Sequence, residues 1–169
     1  MDYVLMDAGN YTDDMPLLHR EAVRGIIYVD GKMLLVQNDS GEVKLPGGGI
    51  ENNETDEQAL VREVMEETGR KVIVSSIRPF VTIEEKRASI KEYALYNQIS
   101  RIYFCEVDNS QGETHYSAGE VRHHLHTVHM TLDEAIAANE KMLEREGYKP
   151  YNQREYKTFL MIREYVNKV

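Results

Sequence analysis

The chain carries a single cysteine, Cys105, which excludes an intrachain disulfide framework and fits a reducing compartment. It has no apolar run approaching the ~20 residues that cross a bilayer as a helix. Residues 1–7 lack the basic region of a secretory signal. Basic charge is scarce: 20 Lys and Arg stand against 29 Asp and Glu, a formal net charge of −9. A surface of that sign is not built to embrace the phosphate backbone of a long nucleic acid. Small anionic substrates remain open, because bound divalent cations reverse the sign of a local site. Internal repeats, linkers and low-complexity tracts are also missing. What is left is one ordinary globular domain of 169 residues, expected to be cytoplasmic, with neither a membrane nor a long nucleic acid as partner.

Residues 1–20 carry Asp2, Asp7, Asp13 and Asp14 without a clear period and read as an N-terminal arm, with a short strand at 3–6. The single domain is expected over 21–169. Two β-rich runs, 22–29 and 32–37, are joined by Asp30-Gly31, the signal of a two-residue hairpin. A short strand at 42–45 ends at Pro46. Thr55-Asp56-Glu57-Gln58 fits a capping box, and Gly69 stands where a left-handed helix end is expected. Between them Leu60 and Val64 form an apolar stripe, and Glu63 and Glu67 lie on another face. Strands are predicted at 71–84, 99–107 and 121–130, with loops at 85–99 and 108–119. A second capping box at Thr131 opens a helix that closes before Gly147 and Pro150, and 152–166 reads as a C-terminal helix. The expected class is α/β (α+β): an α/β/α sandwich with a mixed β-sheet and helices on both faces.

The chemistry is concentrated at 45–69. Leu45-Pro46-Gly47-Gly48-Gly49 is a glycine-rich turn, and Glu63, Glu66 and Glu67 fall at i, i+3 and i+4, on one helix face. Three glutamates on a helix are often no more than a solvated face, and a glycine run can be only a tight turn. Together they are what a magnesium-assisted attack on a phosphate needs, because magnesium takes oxygen ligands and leaves positions for substrate phosphates.

The register is fixed further by Gly48, Glu54, Arg62, Val64 and Gly69. This stretch resembles the box of the Nudix hydrolase family: G, five residues, E, seven residues, R-E-apolar, one residue, E-E, one residue, G-apolar. Arg70 departs from the final apolar position. The resemblance implies an α/β/α sandwich and a hydrolase that cleaves the pyrophosphate linkage of a nucleoside diphosphate joined to another moiety, by attack of a metal-activated water. It implies Glu63, Glu66 and Glu67 as ligands of Mg2+ or Mn2+, with the Gly48 carbonyl as a further one. Gly47, Gly48 and Gly49 are expected at the substrate, Arg62 as the orienting partner of a box glutamate, and Glu54 in a supporting role. A non-catalytic nucleotide-binding sensor or interaction domain is the alternative. Homodimers are frequent in the family.

Beyond the box, Glu113 and Glu120 are candidates for an additional base or ligand, with Glu120 preferred. The run from His123 to His129 invites a zinc reading, but strand alternation would split it between two faces. Tyr93, Tyr96, Tyr116, Tyr148, Tyr151 and Tyr156 are candidate stacking or packing residues. Arg24, Arg78, Lys86, Arg87, Lys91 and Arg101 are candidate phosphate partners. The proline and tyrosine that mark ADP-ribose and dinucleoside polyphosphate hydrolases are absent; Lys86, Arg87 and Ala88 stand there. ADP-ribose, nucleotide sugars, dinucleoside polyphosphates and nucleoside triphosphates all stay open as substrates.

Overall fold

The computed structural model describes residues 1–168, and the side-chain environment of each except Gly119 and Arg122. In chain order the elements are strands β1 (Asp2–Asp7), β2 (Leu17–Ile26), β3 (Tyr28–Val29), β4 (Lys32–Gln37) and β5 (Val43–Lys44), then helix α1 (Asp56–Thr68). A 3-10 turn (Val74–Ser76), strands β6 (Arg78–Ala88) and β7 (Leu95–Phe104), and the short helix α2 (Ala118–Arg122) follow. Strand β8 (His126–Met130) and helices α3 (Leu132–Leu143) and α4 (Pro150–Val166) complete the chain.

Two four-stranded sheets form. One runs β1-β6-β7-β2, with β1 parallel to β6, β6 antiparallel to β7 and β2 parallel to β7. In the other, β4 pairs antiparallel with β3, β5 and β8. Strand β4 shows why helices cover both faces. Met33 and Leu35 enter one apolar core with Ile26, Val81, Ile83 and Ile102, closed by Ala135 and Ile136 of α3 and Phe159 and Ile162 of α4. Leu34, pointing the other way, joins Val23, Ala59, Leu60 and Val64 in a second core under α1. The expected α+β architecture with a mixed sheet and helices on both faces therefore holds, built on two sheets.

Local signals were accurate at the hairpin and at the helix starts. Asp30 and Gly31 both have positive φ, 50° and 78°, as a two-residue turn between twisted strands requires. Thr55 and Thr131 each close a reciprocal capping box, and Gly69 caps α1 in the left-handed conformation with its N–H on the Met65 carbonyl. Pro150 does not end a helix; it occupies the first turn of α4, where its missing N–H costs nothing.

Several expected boundaries move. The stretch 85–99 is mostly strand: β6 runs to Ala88, β7 starts at Leu95, and the pair stays in register from Arg78↔Phe104 to Ala88↔Leu95, with a shift between Pro79 and Val81. The strand expected from 71 begins only at Arg78, after the 3-10 turn. The strand expected over 121–130 starts at His126, because 118–122 is helical. The strand expected at 3–6 is longer, and as β1 it is an edge strand of the sheet.

Candidate active site

The glycine turn is clamped from both sides. Val23 donates to the Gly48 carbonyl at 3.0 Å, Gly25 to the Pro46 carbonyl at 2.9 Å, and Ile50 to the Glu21 carbonyl at 3.0 Å, so 46–50 runs along β2. The buried Arg24 adds side-chain bonds to the carbonyls of Leu45, at 3.2 Å, and Gly47. Gly47 has φ 137°, and a β-carbon there would collide with the Val23 carbonyl. At Gly48 an added β-carbon would fall inside the Glu63 carboxylate. The two glycines let helix α1 bring its acidic face against the turn.

Arg62 organises that face. Its Nε and Nη2 grip both oxygens of Glu54, at 2.7 and 2.8 Å. Nη1 donates to Glu63 at 2.7 Å and to Glu66 at 3.3 Å, and Nη2 also reaches the Gly49 carbonyl at 3.0 Å. A planar guanidinium with five donors can hold several acceptors at once; an ammonium cannot. The bidentate contact with Arg62 pulls the Glu54 carboxyl down to about 2. Burial pushes the Glu63 carboxyl above the usual range, against the opposing pull of Arg62.

Glu67 is the unusual member. It is 1% exposed. Its Oε2 accepts the Gly47 amide at 2.7 Å, while its buried Oε1 has no hydrogen-bond partner among the described residues. The nearest cation is Lys44, whose Nζ lies 3.8 Å from Oε1. Burial pushes the Glu67 carboxyl up to about 7, with Lys44 and Arg24 opposing. A buried carboxylate oxygen without a donor is costly unless something else satisfies it.

Among the described residues no group of three or more His, Cys, Asp or Glu side chains is already gathered to hold a metal ion. The donors nonetheless suit a hard divalent cation: three carboxylates on one helix face, one with an orphaned oxygen, beside a backbone carbonyl at Gly48. Among the described residues that carbonyl accepts only the Val23 amide, leaving its second lone pair.

Arg24 and Lys44 also line a cavity of about 710 Å³, together with Arg87, Tyr96, Tyr151 and Glu155. Glu120 lines it too, and its charge acts on Glu67; it sits in α2, with its carboxylate on the Ser117 amide at 2.7 Å. Glu113 faces a different cavity, of about 620 Å³, beside Arg70 and His129. The departing Arg70 donates to the Asn109 carbonyl at 3.4 Å, in the loop that covers the end of α1. The histidines disperse: His123 lines the larger cavity, His124 pairs with Asp39 at 2.6 Å, and His129 lines the smaller.

Of the other candidates, Arg24, Arg87, Lys91, Tyr96 and Tyr151 reach the larger cavity. Arg101 is spent on Asp56 and Glu21, and Tyr93 on Asp14. Tyr116 has a structural contact, donating to the Glu67 backbone carbonyl at 2.9 Å. Sequence reasoning missed Lys44, Glu42, Arg154 and Glu155, none of which lies in a motif; Arg154 and Glu155 stand among other polar residues of α4, with no local signal to single them out.

This geometry, a glycine turn against an acidic helix beside a polar cavity, defines a known class. The NUDIX domain profile matches residues 18–152, and the chain belongs to the NUDIX family. A "MutT-like protein" of Streptomyces ambofaciens is 42% identical over 64 residues, covering 37% of this chain and 42% of the relative. An "ADP-ribose pyrophosphatase" of Methanocaldococcus jannaschii is 50% identical over 52 residues, 28% of this chain and 31% of the relative. A "Nucleoside triphosphatase NudI" of Enterobacter sp. is 33% identical over 90 residues, 50% of this chain and 64% of the relative. The chain thus matches less than two thirds of the length of each of these curated relatives. A NUDIX hydrolase from Nitrosomonas europaea shares the fold, with TM-score 0.56 and 20% identity over 83% of this chain and 90% of that one.

Proposed function

We propose that the protein is a divalent-metal-dependent hydrolase of a pyrophosphate linkage in a small nucleotide, acting in the cytoplasm. The orphaned, buried Oε1 of Glu67 carries this reading, since it leaves a strong acceptor waiting for a cation at the carboxylate cluster. Names of the relatives, an ADP-ribose pyrophosphatase and a nucleoside triphosphatase, point to the same bond type. Glu63, Glu66 and Glu67, with the Gly48 carbonyl, would hold Mg2+ or Mn2+. When bound, such an ion supplies positive charge against phosphate oxygens and makes water more acidic.

The chain's own residues supply the rest. Gly47, Gly48 and Gly49 give backbone access for the substrate beside the helix, and Arg62 holds Glu66 together with the Glu63 carboxylate that lies against Gly48. Arg24 and Lys44 line the cavity with positive charge, and Lys44 stands 3.8 Å from Glu67. Water adds to phosphorus, the bridging P–O bond breaks, and the departing phosphate keeps the electron pair. The proton of the attacking water goes to a nearby carboxylate, and Glu120, on the cavity wall, is the acceptor assigned.

A panel of ADP-ribose, nucleotide sugars, dinucleoside polyphosphates and nucleoside triphosphates, assayed for phosphate-bond cleavage with Mg2+ or Mn2+, tests the reading. Turnover of at least one compound, reduced on the order of 100-fold in Glu67→Gln, is the expected result. No compound turned over faster than by Glu67→Gln would overturn it and favour a domain that only binds nucleotides.

A further inference from the structure

The larger cavity carries both signs of charge. Arg24, Lys44, Arg87 and Arg154 line it, and so do Tyr96, Tyr151 and Glu155. Glu155 is 4% exposed, yet it lines the cavity. Its Oε1 accepts from Arg154 at 2.9 Å, and no described residue donates to its Oε2.

The carboxylate is held in place by a chain of buried charges. Arg154 also donates to Glu85 at 2.5 Å, Glu85 accepts from Arg87 at 2.6 Å, and the Arg87 guanidinium lies 4.2 Å from the centre of the Tyr96 ring. Burial opposes the charge of Glu155, but Arg154, Arg24 and Lys44 together hold its carboxyl below the usual range. It is therefore an acceptor only. The neighbouring Glu42 already has both oxygens occupied, by Asn38 at 3.0 Å and Asn152 at 2.7 Å. What Glu155 lacks is a donor to Oε2, and the rings of Tyr96 and Tyr151, which line the same cavity, suit a flat one.

We propose that Glu155 determines substrate specificity, its free Oε2 accepting a hydrogen bond from the amino-bearing edge of a nucleobase set against Tyr96 and Tyr151. This rests on the reading of the cavity as the nucleotide site, but its test does not depend on turnover. Calorimetry on the full chain compares non-cleavable α,β-methylene diphosphates in matched pairs: guanosine against inosine, and adenosine against purine riboside. Each pair differs by one amino group. The wild-type protein binds the amino-bearing member of one pair about tenfold more tightly, the worth of one charge-assisted bond. Glu155→Gln, which keeps shape but loses the charge, reduces that ratio to about twofold or less.

Where Glu155→Gln fails to fold, the double variant Arg154→Met/Glu155→Leu removes the ion pair, and Glu85 keeps Arg87 as its partner. It too loses the ratio. Binding with no preference in either pair, no binding at all, or a preference that survives in the folded variants overturns the proposal. A wild-type preference that the variants abolish, with no hydrolysis of any compound, would overturn the hydrolase reading and leave this one standing.

Discussion

The carboxylate of Glu67 accepts the backbone amide of Gly47 at 2.7 Å, across a gap of twenty residues in sequence. This bond ties the C-terminal turn of α1 to the glycine loop. It satisfies one oxygen of a side chain whose other oxygen has no donor.

That imbalance makes stability depend on pH. Burial raises the Glu67 carboxyl to about 7 in the folded protein, against 4.5 otherwise, so folding favours its protonated form. The contribution is full below pH 4.5 and is lost as pH rises through 7. Without divalent ions, the protein is expected to lose roughly 3 kcal/mol between pH 4.5 and 8 from this group. Urea denaturation across that range checks it, with Glu67→Gln as the reference that lacks this group. An equal slope in both proteins contradicts the assignment. Adding Mg2+ at pH 8 should restore the wild type and leave the variant unchanged.

Arg62 holds Glu54, Glu63 and Glu66 together, so removing it leaves carboxylates facing one another. Arg62→Ala is expected to cost about 1–3 kcal/mol of stability, discounted for its partial exposure. Activity on the substrate that the panel identifies should fall about 10- to 100-fold. Arg62→Lys should recover stability more than activity, since an ammonium cannot span three carboxylates and the Gly49 carbonyl. Equal recovery of both would show that only charge matters.

Gly48→Ala places a methyl group in the Glu63 carboxylate. Either the turn or the carboxylate must move, and the turn is fixed to β2 by the Val23 and Ile50 bonds. Loss of Mg2+-dependent activity, with stability lowered by about 1–3 kcal/mol, is the expected pattern. A variant with unchanged kcat would remove the close approach from the mechanism.

Two hydroxyls hold one carbonyl. Tyr116 and Thr127 both donate to the Glu67 backbone oxygen, at 2.9 and 3.2 Å. Tyr116→Phe alone should cost no more than about 1 kcal/mol, because Thr127 still serves the acceptor. Tyr116→Phe with Thr127→Val should cost more than the two single changes added together. Strict additivity in thermal unfolding would mean the two bonds are independent.

The parts of the fold that were legible in the sequence are those whose cause is local. The Asp30-Gly31 turn and the Thr55 and Thr131 caps depend on neighbours within a few residues. The missed strand ends depend on distant ones. The far end of β6 and the start of β7 carry Glu85, Arg87, Asn97 and Gln98, all buried, which in sequence look like loop. Their burial is tolerated because distant partners satisfy them: Arg154 of α4 meets Glu85, and Asn97 bonds to His19 and Glu84. The same reason hid the cavity wall: Lys44 and Glu155 become neighbours of the site through tertiary packing, whereas the 48–69 cluster sits within one turn and one helix.

Strand β1 lies parallel to β6 along Asp2↔Val81 through Asp7↔Lys86, with Val4 and Met6 against the main core. Shaving off these first residues would strip the rim from the β1-β6-β7-β2 sheet and uncover residues 81–86 of β6. Open rims of that length recruit other chains. Trimmed versions made for crystallisation should therefore clump, and an affinity handle placed here needs a spacer that leaves the rim sealed.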